Sequence, residues 1–309
     1  MSADRVGRVA DATGAYGLEH TLVTRSMTNA PKRIGVIGGG TMGTGIAYVF
    51  AVAGCEVTLI EPHSTQAAAA YRAILSRVAG AAERGKLDRE AADRVPGLLR
   101  TAALVAALDH GLDLIVESVP ERLDLKRQVL ADAERRKPVL LASNTSGLPI
   151  TALGEALAHP DRFLGLHFFN PVWSMPLIEI VHTVSTADEQ IERARAAAEL
   201  VGKETIIVRD TPGFVTSRLG VTLGLEAIRM VEDGVAAAGD IDKAMELGYR
   251  HPMGPLRLTD LVGLDVRLDI ARHLTAAFGD RFAPPQLLIA KVAAGELGRK
   301  AGRGFYDWD

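Results

Sequence analysis

One histidine and one glutamate lie inside two apolar runs that a short connection separates. The stretch LHFFNPVWSMPLIEI spans residues 166–180 and contains both His167 and Glu179. Turn-forming prolines bound the connection, so the two runs are expected to pair as antiparallel strands around Trp173. Both residues lie six positions from Trp173. A symmetric hairpin therefore places them opposite each other, with Cβ atoms roughly 5 Å apart.

A carboxylate that binds one imidazole nitrogen fixes the tautomer and leaves the other nitrogen free as a base. Such a base suits the oxidation of an alcohol, because the hydroxyl proton must leave as the carbon loses its hydride. His167 and Glu179 are thus candidate catalytic residues. The same pattern also fits a buried His–Glu pair with a purely structural role.

A polar loop, SNTS (residues 143–146), follows the apolar run at 139–142. In an open parallel sheet, ligands bind beyond the carboxyl ends of the strands. Ser146 is therefore a candidate donor to a substrate oxygen, and Asn144 is a candidate cofactor contact. A plain turn or helix cap explains the loop equally well.

The sequence Gly38-Gly39-Gly40-Thr41-Met42-Gly43 matches G-x-G-x-x-G between a predicted strand and a predicted helix. The first glycine permits a tight turn, the second lets the backbone approach a pyrophosphate, and the third lets helix and strand pack closely. Free N–H groups at the helix start then face the diphosphate. We expect Gly38, Gly40, Thr41, Met42 and Gly43 to bind a dinucleotide.

Glu61 ends the next predicted strand, 23 residues after Gly38. Its carboxylate can accept hydrogen bonds from both adenosine ribose hydroxyls, and it repels a 2′-phosphate, so NAD is favoured over NADP. A tight strand–helix turn followed by a solvated glutamate is the alternative.

The surrounding elements predict how these residues are positioned. Strands are expected at 33–38, 56–61, 113–117 and 138–143, with helices at 41–53 and 121–136, and this alternation predicts a parallel sheet covered by helices on both faces. After residue 210 the pattern changes to helices at 217–232, 240–247, 256–277 and 285–294. We therefore predict three parts: a flexible N-terminal tail (1–31), a nucleotide-binding domain (32–210) and a smaller all-helical domain (211–309).

Composition narrows the functional classes. A formal charge of −3 with no dense basic run gives no electrostatic footprint for nucleic acid. Cys55 is the only cysteine, which excludes a disulfide framework and a cysteine-based metal site and suits the reducing cytoplasm. We therefore expect no metal and a cytoplasmic location. We also expect no membrane span, because apolar runs long enough to cross a bilayer are absent.

Several motifs, in order, resemble the 3-hydroxyacyl-CoA dehydrogenases, particularly the short-chain 3-hydroxybutyryl-CoA type. They are IGVIGGGTMGTGIA (34–47), SNTSGLPIT (143–151), GLHFFNPV (165–172), DTPGFVTSRL (210–219), HPMGPLRLTDLVGLD (251–265) and GRKAGRGFYDW (298–308). The resemblance covers roughly residues 32–309. It implies a Rossmann-type doubly wound sheet followed by a helical domain that forms a homodimer, with an acyl-CoA cleft between the two.

The resemblance also implies roles. NAD-linked oxidation of an (S)-3-hydroxyacyl-CoA is expected, with His167 as the base, Glu179 as its partner and Ser146 bonding the reacting oxygen. Residues that border the cofactor in the family correspond to Glu117, Arg122, Asn170 and Lys300.

The sequence departs from the family at Ser217, where an active-site asparagine is common. Serine is shorter and offers one hydroxyl in place of an amide, which concerns acyl-chain preference more than the reaction. Ser217 is still a candidate active-site residue, although a small residue at a helix contact is the alternative.

Coenzyme A carries phosphates, which attract basic residues near the mouth of a cleft. The candidates are Arg72, Arg77, Arg84 and Lys86. A solvated helix face is the alternative explanation for them.

Two other functions stay open: a dehydrogenase of a free 3-hydroxy acid or a hydroxylated amine, and a non-catalytic NAD-binding protein of the same fold.

Overall fold

A computed structural model describes residues 30–308, so the predicted tail lies outside the described residues except for its last two positions. The centre of the fold is one eight-stranded sheet. Its strands are β1 Arg33–Ile37, β2 Glu56–Ile60, β3 Leu99–Ala102, β4 Leu114–Glu117, β5 Leu140–Ser143, β6 Phe163–Phe168, β7 Leu177–His182 and β8 Glu204–Arg209.

The strand order is β3-β2-β1-β4-β5-β6-β7-β8. Strands β1 to β6 run parallel, which confirms the predicted parallel sheet. Strand β7 is antiparallel to β6, and β8 is parallel to β7. The order reverses between β1 and β4, and such a switch point is where open α/β sheets bind nucleotides.

Apolar side chains cover both faces of the sheet because strands that are buried on two sides carry nearly continuous apolar runs. Ile34 and Val36 of β1 pack on one face, and Ile37 packs on the other. The helices on the two faces are α1 Thr41–Val52, α2 Ser64–Glu83, α3 Arg89–Leu98, α4 Leu123–Glu134, α5 Ile150–Gly154 and α6 Asp188–Leu200.

The remaining helices share a separate apolar core that includes Val221, Leu225 and Leu268. They are α7 Thr216–Glu232, α8 Ala238–Gly248, α9 Pro255–Val262, α10 Leu264–Phe278 and α11 Gln286–Ala293. The prediction of a single helix over 256–277 is wrong, because two helices occupy this range. Gly263 has φ +104° and separates α9 from α10, and that conformation cannot continue a right-handed helix.

A buried carboxylate anchors the C-terminal segment to α9. Asp260 accepts hydrogen bonds from the backbone N–H groups of Phe305 (2.9 Å) and Tyr306 (2.9 Å) and from the Trp308 indole (2.8 Å). The chain thus returns to the helical core at its end.

The predicted fold class, a doubly wound sheet followed by a smaller helical part, is confirmed. The domain division at residue 210 stays a prediction. Within residues 30–308 no helix is long and apolar enough to cross a membrane. In the same range no three His, Cys, Asp or Glu side chains are grouped so that they could hold a metal ion.

Candidate active site

The hairpin of β6 and β7 brings His167 and Glu179 together, as the sequence spacing predicts. The two residues are direct partners in the antiparallel register. His167 Nδ1 lies 2.7 Å from Glu179 Oε2. Because β7 reverses direction, a residue near its start lies beside the carboxyl end of β6, and this places Glu179 next to the cleft.

The Glu179 carboxylate is fully buried and receives hydrogen bonds from the start of α7. Its Oε1 accepts from the backbone N–H groups of Val215 (3.2 Å) and Thr216 (2.9 Å), and its Oε2 accepts from Thr216 Oγ1 (3.0 Å). Burial raises the pKa of Glu179, but the bonds from His167 and Thr216 outweigh burial and hold the pKa below its usual value. Glu179 is therefore ionised at neutral pH.

Aromatic rings flank the imidazole of His167. The ring centroid of Phe169 lies 4.4 Å away and that of Phe214 lies 5.9 Å away. With Nδ1 directed at Glu179, Nε2 is the free nitrogen, and His167 lines the large cleft described next. An oriented imidazole at the wall of a cleft can accept a proton from a bound hydroxyl.

A cleft of about 1280 Å³ opens at the carboxyl ends of β1, β2, β4, β5 and β6. Its size is that of a large ligand pocket. The predicted site residues that line it are Gly38, Gly40, Thr41, Met42, Glu61, Asn144, Ser146, His167 and Asn170.

The glycine loop has the geometry that dinucleotide binding requires. Gly38 has φ +112°, and a Cβ there would lie 2.5 Å from the carbonyl oxygen of Ser118. A Cβ at Gly43 would lie 1.8 Å from the carbonyl oxygen of Gly38, whereas a Cβ at Gly40 would meet no heavy atom within 4 Å. No side chain caps the start of α1, so amides of its first turn are available to an anion.

Glu61 lies at the end of β2 beside this loop. Its Oε2 accepts from the Gly39 N–H (3.0 Å), and its Oε1 lies 3.0 Å from both the backbone N and Nδ1 of His63. Burial raises the pKa of Glu61, but the bonds from His63 and Gly39 outweigh burial and hold the pKa below its usual value. The ionised carboxylate is thus fixed where the adenosine ribose of a dinucleotide would lie.

The Asn144 side chain links three strand ends at the cleft floor. Its Oδ1 accepts from the backbone N–H of Phe168 (2.9 Å), and its Nδ2 donates to Ser118 Oγ (3.3 Å). These two hydrogen bonds fix the backbone next to His167.

Ser146 is exposed to the cleft, and its loop is held by Glu121. Glu121 Oε1 accepts from Ser146 N (2.9 Å), Ser146 Oγ (3.3 Å) and Thr145 Oγ1 (2.6 Å). Lys126 Nζ lies 3.3 Å from Glu121 Oε2. Burial raises the pKa of Glu121, and Lys126 together with the hydroxyl and amide donors lowers it below its usual value.

Sequence reasoning did not identify Glu121 and Lys126, although both line the cleft. A signal was available in α4, whose buried positions are Lys126, Leu130 and Ala133. A lysine on the apolar face of a helix indicates a buried partner, and that partner is Glu117 at 2.7 Å from Lys126 Nζ.

Four residues expected at the cofactor do not line the described cleft: Gly43, which packs against the Gly38 carbonyl, and three others. Glu117 is fully buried and bonds Ser143 Oγ (2.6 Å) beneath the cleft floor. Arg122 is an exposed residue that precedes α4. Lys300 Nζ pairs with Asp265 at 2.5 Å beside the α9–α10 junction. Their roles toward a cofactor stay predictions.

Ser217 lies in the first turn of α7 and is partly buried. The neighbouring Thr216, which sequence reasoning did not select, is the residue that bonds Glu179. Ser217 is adjacent to the dyad along the chain, and its role also stays a prediction.

One of the basic candidates for coenzyme A binding lines a groove of about 330 Å³ between α1 and α2. Arg77 lines this groove, and its Cζ lies 3.1 Å from the ring centroid of Trp173. Arg77 and Arg84 both lower the pKa of Tyr48 in the same groove, although burial raises it overall. Arg72 lines a different hollow beside Glu61, and Lys86 is exposed after α2.

Two family models together match nearly all of the described chain. Residues 33–211 match the NAD binding domain of 3-hydroxyacyl-CoA dehydrogenase. Residues 213–308 match the C-terminal domain of the same family.

Individual relatives agree with the family models. The chain is 42% identical over 287 residues to a 3-hydroxybutyryl-CoA dehydrogenase of Mycobacterium tuberculosis, covering 91% of this chain and 100% of the relative. It is 38% identical to the mitochondrial hydroxyacyl-coenzyme A dehydrogenase of Sus scrofa, over 90% of this chain and 91% of the relative. The crystal structure of (S)-3-hydroxybutyryl-CoA dehydrogenase PaaH1 from Ralstonia eutropha superposes with a TM-score of 0.86 at 33% identity, covering 91% of this chain and 100% of that chain.

Proposed function

The chain belongs to the 3-hydroxyacyl-CoA dehydrogenase family, and on that premise we propose that it oxidises an (S)-3-hydroxyacyl-CoA to the 3-ketoacyl-CoA with NAD and catalyses the reverse reduction. The names of its relatives support a short acyl chain, such as 3-hydroxybutyryl. The observation that carries the proposal is the His167–Glu179 pair at the wall of the dinucleotide cleft.

NAD fits the residues of the cleft. The open space at Gly40, the uncapped start of α1 and the fixed carboxylate of Glu61 suit a diphosphate and a ribose with free hydroxyls. When bound, NAD supplies the acceptor for the hydride of the substrate C3. Gly38, Gly43, Thr41 and Met42 would shape the loop around the diphosphate, while Asn144 and Asn170 would border the far end of the cleft.

The proton chemistry then rests on the chain itself. His167 Nε2 takes the proton from the substrate 3-hydroxyl, while Glu179 stabilises the imidazolium that forms on the ring. Ser146 Oγ binds the same oxygen, and to donate to a ketone its hydroxyl must turn away from Glu121. In the reductive direction the protonated His167 returns the proton to the developing alkoxide.

We propose that the groove between α1 and α2 receives the phosphates of coenzyme A. Arg77 supports this because it carries positive charge in the wall of the groove, and the charge of Arg84 acts on Tyr48 in the same groove. The groove and the cleft that His167 lines share Gly39, Gly40 and Thr41.

We also propose a homodimer that forms through the C-terminal helices. Exposed apolar side chains on α7, α9 and α10 support this assembly: Leu219, Leu223, Leu258, Leu261, Val262 and Val266. A surface of this kind marks a protein contact more often than a solvated face. We also propose a cytoplasmic location. The single cysteine, Cys55, is free, and this suits a reducing compartment.

Formation of NADH from (S)-3-hydroxybutyryl-CoA, measured by nicotinamide absorbance, tests the proposal. We expect turnover with NAD and little with NADP. Turnover of free 3-hydroxybutyrate without turnover of the CoA ester would instead indicate the rival dehydrogenase. No NADH from either, by a protein that still binds NAD, would indicate a non-catalytic binding protein.

A further inference from the structure

A large aromatic side chain is partly exposed in the wall of the groove between α1 and α2. Trp173 is 39% exposed, and it lines this groove together with Arg77 and Tyr48. The Arg77 guanidinium covers one face of the indole, with its Cζ 3.1 Å from the ring centroid. The exposed part of the ring is available to a ligand in the groove. An aromatic ring beside a guanidinium suits a nucleotide, because the ring stacks on the base and the guanidinium pairs with a phosphate.

The connection that carries Trp173 is held from two sides. Lys203, which precedes β8 and is 8% exposed, donates from Nζ to the carbonyl oxygens of Val172 (2.6 Å) and Met175 (2.7 Å). Burial of an ammonium group is unfavourable unless it is well hydrogen-bonded, so these bonds tie the connection firmly to the sheet. On the other side, Gly45 of α1 admits the connection, because a Cβ there would lie 2.8 Å from the Val172 side chain. The indole of Trp173 is thus presented to the groove in a fixed position.

The groove adjoins the cleft that contains the proposed base. Gly39, Gly40, Thr41 and Gln66 line both of them. A substrate whose reacting carbon lies at His167 can therefore extend from the cleft into the groove. Positive charge in this region favours a substrate that carries phosphate groups at its far end.

We propose that Trp173 stacks on the adenine of the coenzyme A part of the substrate and makes the protein selective for CoA esters over shorter thioesters. This inference rests on the proposed function and assigns a residue to substrate recognition within it. Arg77, on the other face of the indole, pairs with a phosphate of the same nucleotide. The stacking contact is remote from C3, so it strengthens the binding of substrate and transition state equally. Its loss therefore raises KM and leaves kcat unchanged.

Two thioesters with the same acyl group test the inference: (S)-3-hydroxybutyryl-CoA and (S)-3-hydroxybutyryl-pantetheine, which lacks the nucleotide. The measured quantity is the ratio of kcat/KM for the CoA ester to kcat/KM for the pantetheine ester. In Trp173→Ala we expect this ratio to fall by roughly five- to a hundredfold, the range of base–aromatic stacking, through a higher KM for the CoA ester. Trp173→Phe keeps an aromatic ring and should keep most of the ratio. Tyr249→Ala is the matched control, because Tyr249 is an aromatic residue that is 76% exposed after α8, and it should keep the wild-type ratio.

Fluorescence tests the contact directly. The chain contains two tryptophans, so Trp308→Phe leaves Trp173 as the only one. Saturating NAD fills the dinucleotide site, and adenosine 3′,5′-bisphosphate, which carries the base and two of the phosphates of coenzyme A, is then added. We expect this nucleotide to quench the emission of Trp173 in a saturable way.

An equal ratio in wild type and Trp173→Ala, or emission that adenosine 3′,5′-bisphosphate leaves unchanged, overturns the inference. An equal loss of kcat/KM for both esters also overturns it, because Trp173 then supports the hairpin of β6 and β7 rather than the nucleotide. These results leave the proposed function intact, whereas no turnover of either ester by the wild-type protein contradicts the proposed function as well.

Discussion

At the scale of single residues, the proposed chemistry depends on how firmly Glu179 holds His167. The carboxylate has four donors: the imidazole, two backbone amides and one hydroxyl. Three of these come from the start of α7, so the helical region positions a dyad that lies on the sheet. The orientation of the base thus depends on residues from both parts of the chain.

Thr216→Val tests this coupling. The change removes the hydroxyl donor to Glu179 Oε2 and leaves the backbone donor in place. One hydrogen bond contributes about 0.5–1.5 kcal/mol, so we expect kcat/KM for (S)-3-hydroxybutyryl-CoA to fall by roughly two- to tenfold. Thr216→Ser keeps the hydroxyl and should retain wild-type activity. Equal activities for the valine and serine variants would show that the hydroxyl does not position Glu179.

The sequence predicted the dyad but not its supports, for a physical reason. The symmetric spacing about Trp173 fixes the pairing of His167 with Glu179, and this pairing is confirmed. Glu121, which holds Ser146, and Thr216, which holds Glu179, each lie more than twenty residues away in the chain. Contacts of that range depend on how whole elements pack, which local patterns do not encode.

At the scale of elements, two glycines of the β1–α1 turn differ in whether the packing of the protein requires them. Gly43 is required by the protein's own packing, because a Cβ there would meet the Gly38 carbonyl. Gly40 has ordinary backbone angles, with φ −73°, and open space at its Cβ position. The fold therefore does not require the lack of a side chain at Gly40, and we propose that it lets a dinucleotide approach the backbone.

Gly40→Ala and Gly43→Ala distinguish a glycine needed for ligand binding from a glycine needed for packing. In Gly40→Ala we expect the melting temperature to stay close to wild type, while the Kd for NADH rises at least about tenfold because the methyl group meets the pyrophosphate. In Gly43→Ala we expect a lower melting temperature as well. Thermal unfolding and NADH fluorescence titration measure the two effects. Unaltered NADH affinity in Gly40→Ala would contradict the placement of the diphosphate.

Elements with strong local signals were predicted well, and weaker ones were missed. The strands before and after the glycine loop follow from apolar runs, while β3, β8 and α6 were not predicted. Strand β3 has only four residues, and β8 has a mixed burial pattern, so neither presents a clear run. The break at Gly263 was missed because the residues on both sides of it continue a helical pattern.

At the scale of the whole molecule, several carboxylates bind protons less readily when the protein is folded. Hydrogen bonds and cations hold the pKa values of Glu61, Glu121, Glu179 and Asp265 below their usual range, despite burial that acts in the opposite direction. A group of this kind stabilises the fold fully above its unfolded-state pKa, roughly 4. That contribution is lost as the pH falls through the folded-state pKa.

We therefore expect the free energy of unfolding to be nearly constant between about pH 5 and 6 and to fall steeply below about pH 4. Urea unfolding at a series of pH values measures this. In Glu179→Gln the dependence should be shallower, because one of the responsible carboxylates is gone. An identical slope in wild type and variant would show that Glu179 does not lose proton affinity on folding.

The central claim is that His167 is the acid–base group of an NAD-linked dehydrogenase, and His167→Gln tests it most directly. The kcat for (S)-3-hydroxybutyryl-CoA and the Kd for NADH are measured on the same preparation. We expect kcat to fall by roughly 10²–10⁴-fold, the usual contribution of a positioned acid–base group, with the Kd for NADH within about twofold of wild type, because the glycine loop and Glu61 are untouched. Wild-type kcat in this variant would contradict the account.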